Sequence, residues 1–263
     1  MINRCNTATL PAVAVGDQGI RPFNARSLVL SVLLGLEPPV LPVRSLVAVG
    51  ELFDIAPGTM RTALSRMVAA GELSIDGAGY RLQGRLLERK AAQDIGRRPV
   101  TGRWDGTWWV AVVSVPRRSI ADRRAFRTDM ANARMGELRA DTWMRPANLD
   151  GPTGDASLLV VRGPLTGAEP VELAGRLWPL GGLAATATRL GDQLEQAEPS
   201  LAGGSPDALP GAITLAAEVV RFLRADPLLP VELLPSPWPP DDLRLRYRAF
   251  DRLVGKTLAN AVR

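Results

Sequence analysis

The stretch that decides the fold reads Pro57-Gly58-Thr59-Met60-Arg61-Thr62-Ala63-Leu64-Ser65-Arg66-Met67-Val68-Ala69-Ala70-Gly71. Met60, Ala63, Leu64, Met67 and Val68 recur at i, i+3, i+4, i+7 and i+8, the stripe of a helix that buries one face. Pro57 suits the first helical position, where its missing N–H is not needed, and Gly71 suits the left-handed residue that follows a helix. The opposite face carries Arg61, Thr62, Ser65 and Arg66. Guanidinium forks and short hydroxyls are the groups that hold phosphates and base edges in a major groove. By itself the pattern is equally that of an amphipathic helix with a solvated polar face, so its neighbours decide.

Upstream, Asn24-Ala25-Arg26-Ser27 opens a helical pattern through Leu34, and Glu37-Pro38-Pro39 stops it. A second helix is expected from Val43 to Phe53, with Leu46, Val47, Val49 and Leu52 inward, and Asp54-Ile55-Ala56 turns the chain. Downstream, Leu73-Ser74-Ile75 and Tyr80-Arg81-Leu82 flank Asp76-Gly77-Ala78-Gly79, a hairpin with a turn-forming Asp-Gly. Three helices and a hairpin in this order predict a winged helix-turn-helix, with a connector helix, over residues 24–98. A winged helix used for protein contacts would show the same spacing. Residues 1–23 are expected to be a flexible N-terminal extension.

The connector, Leu82 to Arg98, offers Arg85, Arg89, Lys90, Arg97 and Arg98, and its arginines are expected to add phosphate contacts. Next come a β-branched and aromatic strand, Thr107 to Val115, closed by Pro116, and an Arg-rich helix from Ser119 to Met135 with Arg123, Arg124 and Arg127. Strands Ala140–Arg145 and Ser157–Arg162 complete a β-α-β-β order, which predicts a ferredoxin-like α/β sandwich over residues 99–166. Trp104, Trp108, Trp109 and Trp143 are assigned to sheet packing rather than to a cofactor box. Residues 167–263 read as a helical domain for packing or dimerisation, with a ligand cavity between its helices. Its parts are a helix or helix pair Val171–Gln196 broken near Pro179, a Gly/Pro-rich loop Glu198–Gly211, and a helix Ala212–Arg224. A surface-wrapping proline ladder, Asp226 to Pro235, precedes the last helix, Asp241–Ala261.

Composition narrows the chemistry. The 263 residues include no His, which excludes Ser–His–Asp and Cys–His nucleophiles and removes the commonest zinc ligand. The one cysteine, Cys5, forms neither an internal disulfide nor a metal cluster. The longest apolar run, Leu28 to Leu36, is half of what a membrane helix needs. Residues 1–100 hold 12 Lys and Arg against 8 Asp and Glu, residues 101–150 hold 9 against 6, and residues 151–263 hold 11 against 13. A basic front and a mildly acidic rear predict that a polyanion meets the first half. The expected protein is cytoplasmic, not an enzyme, and free of metal, cofactor and catalytic residues.

Several further stretches then become informative together. They are Ala25-Arg26-Ser27-Leu28, Met60 to Met67, Ala70-Gly71-Glu72-Leu73, Trp104-Asp105-Gly106-Thr107-Trp108, Ser114-Val115-Pro116, and Arg221-Phe222-Leu223 through Asp226-Pro227-Leu228-Leu229-Pro230 to Leu233-Leu234-Pro235 and Trp238. In this order the chain resembles the PaaX-type (phenylacetic acid degradation repressor-like) family of bacterial transcriptional regulators. The resemblance implies an α+β multidomain protein: an N-terminal winged helix-turn-helix, a central ferredoxin-like domain related to a CRISPR-associated nuclease fold, and a C-terminal helical domain. It implies a homodimeric repressor on double-stranded operator DNA, released by a small effector of the acyl-CoA thioester kind. Carried over by position, Arg61, Thr62, Ser65 and Arg66 face DNA, and Tyr80 and Arg81 lie on the wing. The sequence departs from the pattern at the wing tip, which lacks basic residues, and at Ser114, which stands where related nucleases carry a metal-binding aspartate. A Ser hydroxyl is no substitute for that carboxylate, so the central domain is expected to be non-catalytic. The rival enzyme reading is a metal-dependent nuclease using Asp105, Asp122 or Asp129.

Overall fold

In the computed structural model, residues 23–77, 79–99, 101–114, 119–153 and 157–262 are described. The expected N-terminal extension (but for residue 23), Ala78 of the hairpin turn, and the Val115–Pro116 end of the long strand lie outside the described residues.

Helix α1 (Ala25–Gly35) starts at a reciprocal cap. The Asn24 side chain accepts from the Ser27 amide at 2.8 Å, and the Ser27 hydroxyl accepts from the Asn24 amide at 2.9 Å. Its run Leu28 to Leu34 is apolar nearly all round, the mark of a helix buried on more than one side. Val29, Leu30, Leu33 and Leu34 pack with α2 (Val43–Leu52) and α3 (Pro57–Ala69), while Leu28 and Val32 belong to a second core farther along the chain. A three-stranded antiparallel sheet in the order β1-β3-β2 closes this unit: β1 (Val40–Pro42), β2 (Leu73–Asp76) and β3 (Gly79–Leu82). Strand β1 has no sequence signature, being three residues among prolines, which tolerate an edge. Gly79 lets it approach: a Cβ there would stand 2.8 Å from the Leu41 carbonyl oxygen.

Helix α4 (Arg85–Arg97) leads to a four-stranded antiparallel sheet in the order β5-β6-β4-β7. Its strands are β4 (Thr107–Val113), β5 (Gly136–Arg139), β6 (Thr142–Pro146) and β7 (Leu158–Pro164), and α5 (Ile120–Asn132) links β4 to β5. Two expectations are corrected here. Helix α5 ends before Met135 because Arg134 turns to φ 57°, and the residues beyond it form β5. Ala140 is not strand but part of the turn into β6, where Asp141 takes φ 62°. Phe126 and Met130 of α5 cover one sheet face around Ala111 and Trp143. The other face, with Trp108 and Met144, is covered by α6 (Pro170–Leu177) and by Leu229 and Leu233 of the proline ladder. The tryptophans pack as expected, Trp104 edge-on to Trp108 at 6.1 Å and Phe126 edge-on to Trp143 at 6.2 Å.

The C-terminal helices are longer than their sequence suggests. Helix α7 (Leu180–Ala202) runs through Pro199 into the segment expected to be a loop, and α8 (Leu209–Ala225) begins three residues early. Buried Leu201 and Leu209 explain both extensions, since each anchors its helix end in the core shared with α9 (Pro239–Ala261). The Thr257 hydroxyl donates to the Leu201 carbonyl at 3.2 Å and satisfies that end. The whole is a mixed α+β structure with two antiparallel sheets. Among the described residues no helix is long and apolar enough to cross a membrane.

Candidate nucleic-acid interface and an inter-helix cavity

Helix α3 is held at both ends and along one side. Pro57 occupies its first turn after extended Ala56. At the other end the Gly71 amide donates to Val68 and the Glu72 amide to Met67, both at 2.9 Å, with Gly71 at φ 68°. This is the Schellman closure that a left-handed glycine permits. Met60, Leu64 and Met67 are fully buried beneath α1 and α2. The sequence-predicted residues Arg61, Thr62, Ser65 and Arg66 all lie exposed on the opposite face.

Their hydrogen bonding differs. Neither Arg61 nor Arg66 has an acidic partner among the described residues. Thr62 donates to the Gly58 carbonyl at 2.8 Å and Ser65 to the Arg61 carbonyl at 3.0 Å, leaving both hydroxyls as outward acceptors. On the hairpin, Tyr80 is half-buried against the three-helix core, and Arg81 pairs through Nε at 2.8 Å with Asp76 of the facing strand. Arg26 of α1 forms a bidentate pair with Glu72, which ties the start of α1 to the turn between α3 and β2. That bond holds the Glu72 carboxyl below the ordinary 4.5.

The expectation that the connector arginines add phosphate contacts is corrected in part by their partners. On α4, Arg97 donates to the Tyr247 hydroxyl at 3.1 Å and stacks over its ring at 5.4 Å, facing inward. The neighbouring connector cation Lys90 is buried, 3.0 Å from Glu37 and 3.1 Å from Asp94. Arg85, Arg89 and Arg98 stay exposed.

The middle sheet does not bring Asp105, Asp122 and Asp129 together. Asp105 accepts from the Thr107 amide at 3.0 Å and pairs with Arg162 at 2.7 Å, while Asp122 lies in the first turn of α5 beyond the other end of β4. Among the described residues no three His, Cys, Asp or Glu converge. Ser114 follows the last residue of β4 and donates its amide to the Ser157 carbonyl at 2.8 Å.

Sequence reasoning missed a buried polar hub. Asp226, 1% exposed, accepts from Arg244 at 2.7 Å and from the Leu228 amide at 2.8 Å. Arg244 also donates to the Gly96 carbonyl at 3.0 Å. Arg134 donates to the Arg224 carbonyl at 2.9 Å and to that of Asp226. Arg145, 1% exposed, donates to the Ala133 and Pro146 carbonyls and to Asn148, each at 3.1 Å, and burial beside Arg134 draws its pKa down to about 10. The hub fastens the ladder to the middle sheet, α4 and α9 at once. The one sequence signal for it was an aspartate opening an otherwise apolar, proline-rich run.

A cavity of about 340 Å³ opens between α1, α4, α8 and α9, apolar on one side and lined by Arg26, Arg89, Arg97, Arg221 and Arg224 on the other. The expectation placed a ligand cavity between the helices of residues 167–263; this space instead lies between α8 and α9 on one side and α1 and α4 of the front half on the other.

Residues 24–86 match the family described as PaaX-like protein, and residues 101–156 match the PaaX protein central Cas2-like domain. No curated protein matches the chain. Among solved structures, the uncharacterized protein Rv0674 from Mycobacterium tuberculosis is 38% identical, with a TM-score of 0.71, over 90% of this chain and 98% of that one. With two family segments in order and a relative of that identity along nearly its whole length, the chain belongs to the PaaX-like family.

Proposed function

We propose that the protein is a sequence-specific, DNA-binding transcriptional regulator that acts as a homodimer and is released from its operator by a small effector. The observation that carries this reading is the outer face of α3, where Arg61 and Arg66 stand exposed without acidic partners among the described residues, on a helix that buries Met60, Leu64 and Met67 on its other face. In this reading residues 24–98 are a winged helix-turn-helix, α3 is the recognition helix, and β2–β3 is the wing. Arg61 and Arg66 bind phosphate or guanine edges, and Thr62 and Ser65 accept from base amino groups. Tyr80 and Arg81 lie on the wing, where Arg81 must exchange Asp76 for a phosphate, so its contribution is the smaller.

Residues 99–166 are read as a ferredoxin-like sandwich. The order β5-β6-β4-β7, antiparallel throughout, is what a split βαβ unit produces, although no helix lies among the described residues between β6 and β7. We assign the sheet no catalytic role, since the Asp105 carboxylate is engaged by Thr107 and Arg162. Residues 167–263 are read as the helical domain that carries the dimer contact. The effector class implied by the family resemblance is an acyl-CoA thioester.

Footprinting the protein on DNA flanking its own gene tests this reading. Two protected half-sites in inverted repeat, centred about 34 Å apart, are expected from two recognition helices in successive major grooves. Uniform protection without preferred sites, or none at low salt, would contradict it.

A further inference from the structure

The cavity between α1, α4, α8 and α9 has unequal walls. Leu30 and Leu34, at the edge of the core beneath α3, line it from α1, and Ile213 and Val220 line it from α8, which makes an apolar floor. Around it, Arg89, Arg221 and Arg224 have no acidic partner among the described residues, and the one carboxylate lining the space, Asp251, already accepts from the Tyr247 hydroxyl at 3.1 Å. Although its side chain reaches the surface, partial desolvation against the cavity wall and the neighbouring charges of Arg224 and Arg26 lower the pKa of Arg89. Crowded cations beside hydrocarbon are stabilised by an anion that brings its own apolar body.

Two orphaned atoms sharpen the fit. Among the described residues, Gln93 Oε1 and Arg97 Nε are the buried side-chain polar atoms that lack a hydrogen-bond partner, and both residues line this cavity. Gln93 is only 6% exposed. Leaving such an atom unpaired is costly, and native interiors rarely do so without reason. Gln93 Oε1 asks for a donor, and Arg97 Nε for an acceptor.

We propose that this cavity is a binding site for a compact, apolar organic anion that also carries an N–H or O–H donor. The anionic head sits among Arg89, Arg221 and Arg224, and the hydrocarbon lies on the apolar floor. Gln93 and Arg97, whose orphaned atoms are closed off from solvent, turn toward the ligand, so that the head accepts from Arg97 Nε and the donor satisfies Gln93 Oε1. At about 340 Å³ the space suits a small ligand, or the acyl end of a larger one. Occupancy has a route to the front of the molecule. Arg26 lines the cavity and also holds Glu72 beside α3, so an anion that draws Arg26 inward loosens that tie. This second step rests on the DNA-binding reading; occupancy itself does not.

Fluorescence titration with 8-anilinonaphthalene-1-sulfonate, an aromatic sulfonate bearing an N–H, tests the site. N-phenyl-1-naphthylamine, with the same rings and N–H but no charge, is the comparison. The sulfonate is expected to saturate at one site per chain and to bind about tenfold or more tighter than the neutral amine. Arg221→Gln should weaken it by a similar factor, and Ala217→Trp, which fills the lining, should abolish it while circular dichroism shows the fold retained. Should Ala217→Trp unfold, Arg89→Gln with Arg221→Gln carries the test. Equal affinity for the two probes, or sulfonate binding unmoved in the folded variants, would overturn the proposal. Arg61→Ala with Arg66→Ala lies outside the cavity and leaves probe binding unchanged, so a failure to bind DNA is separable from a failure of this site.

Discussion

Arginine is the commonest charge in this chain, and what distinguishes one guanidinium from another is its partner. Arg244 is buried with Asp226, Arg26 is tied to Glu72, Arg81 to Asp76, and Arg61 and Arg66 face outward with no acidic partner among the described residues. Removing one member of a buried pair strands the other, at about 3–5 kcal/mol. Arg244 keeps a second, exposed partner in Asp241 at 2.8 Å, so Asp226→Ala is expected to lower stability by about 3 kcal/mol, the low end of that range, read as a fall in the urea midpoint, whereas breaking a surface pair such as Arg246–Glu195 should barely move it. Glu72 makes a pH-dependent contribution. Its folded pKa lies below 4.5, so the unfolded chain takes up the proton first as pH falls. The stabilisation is complete above the ordinary range and disappears as pH drops through the folded value. The melting temperature of wild type should accordingly exceed that of Glu72→Gln near neutrality, and the gap should close on acidification. The sequence displays where the arginines sit on a helix, since that is periodicity. It does not display who holds them: Glu72 lies 46 residues from Arg26, and Gly96 lies 148 from Arg244.

At the scale of elements, helix boundaries were legible where caps are local and illegible where burial decides. Asn24 with Ser27, Pro57 and Gly71 each announce their ends through their own backbone chemistry. Helix α7 instead continues through Pro199 because Leu201 is needed in the core, and β1 exists because β3 offers it an edge. Both depend on partners far along the chain, which no window of sequence contains. Close packing is similarly hidden. At Gly96 a Cβ would stand 2.7 Å from the Leu223 carbonyl oxygen, so α4 meets α8 backbone to backbone. Gly96→Ala is expected to destabilise by about 1–3 kcal/mol despite the better helix propensity of alanine, because the neighbour that must shift is main chain. Chemical denaturation would register it as a lower midpoint at unchanged slope; a gain in stability would contradict the packing.

The molecule as a whole is joined through α1. Leu28 and Val32 sit in the core of α7, α8 and α9, while Val29 and Leu33 sit in the core beneath α3. The all-round apolar run from Leu28 to Leu34 made a doubly buried helix legible, though not the identity of its second partner. One consequence is that the cavity and the core beneath α3 share residues of α1, since Leu30 and Leu34 line the first and belong to the second, a short mechanical path between the two proposed sites. In the proposed function, the face of Arg61, Thr62, Ser65 and Arg66 meets a duplex. Fluorescence anisotropy of labelled DNA from beside the protein's own gene, titrated with protein across a salt series, puts that face to the test. Wild type should bind with a steep negative dependence of log K on log salt. Arg61→Ala with Arg66→Ala should weaken binding by about 1–3 kcal/mol per base-reading arginine, or flatten the slope by about one for each phosphate that is no longer neutralised. Identical affinity and slope in wild type and the double variant would show that this face does not bind DNA.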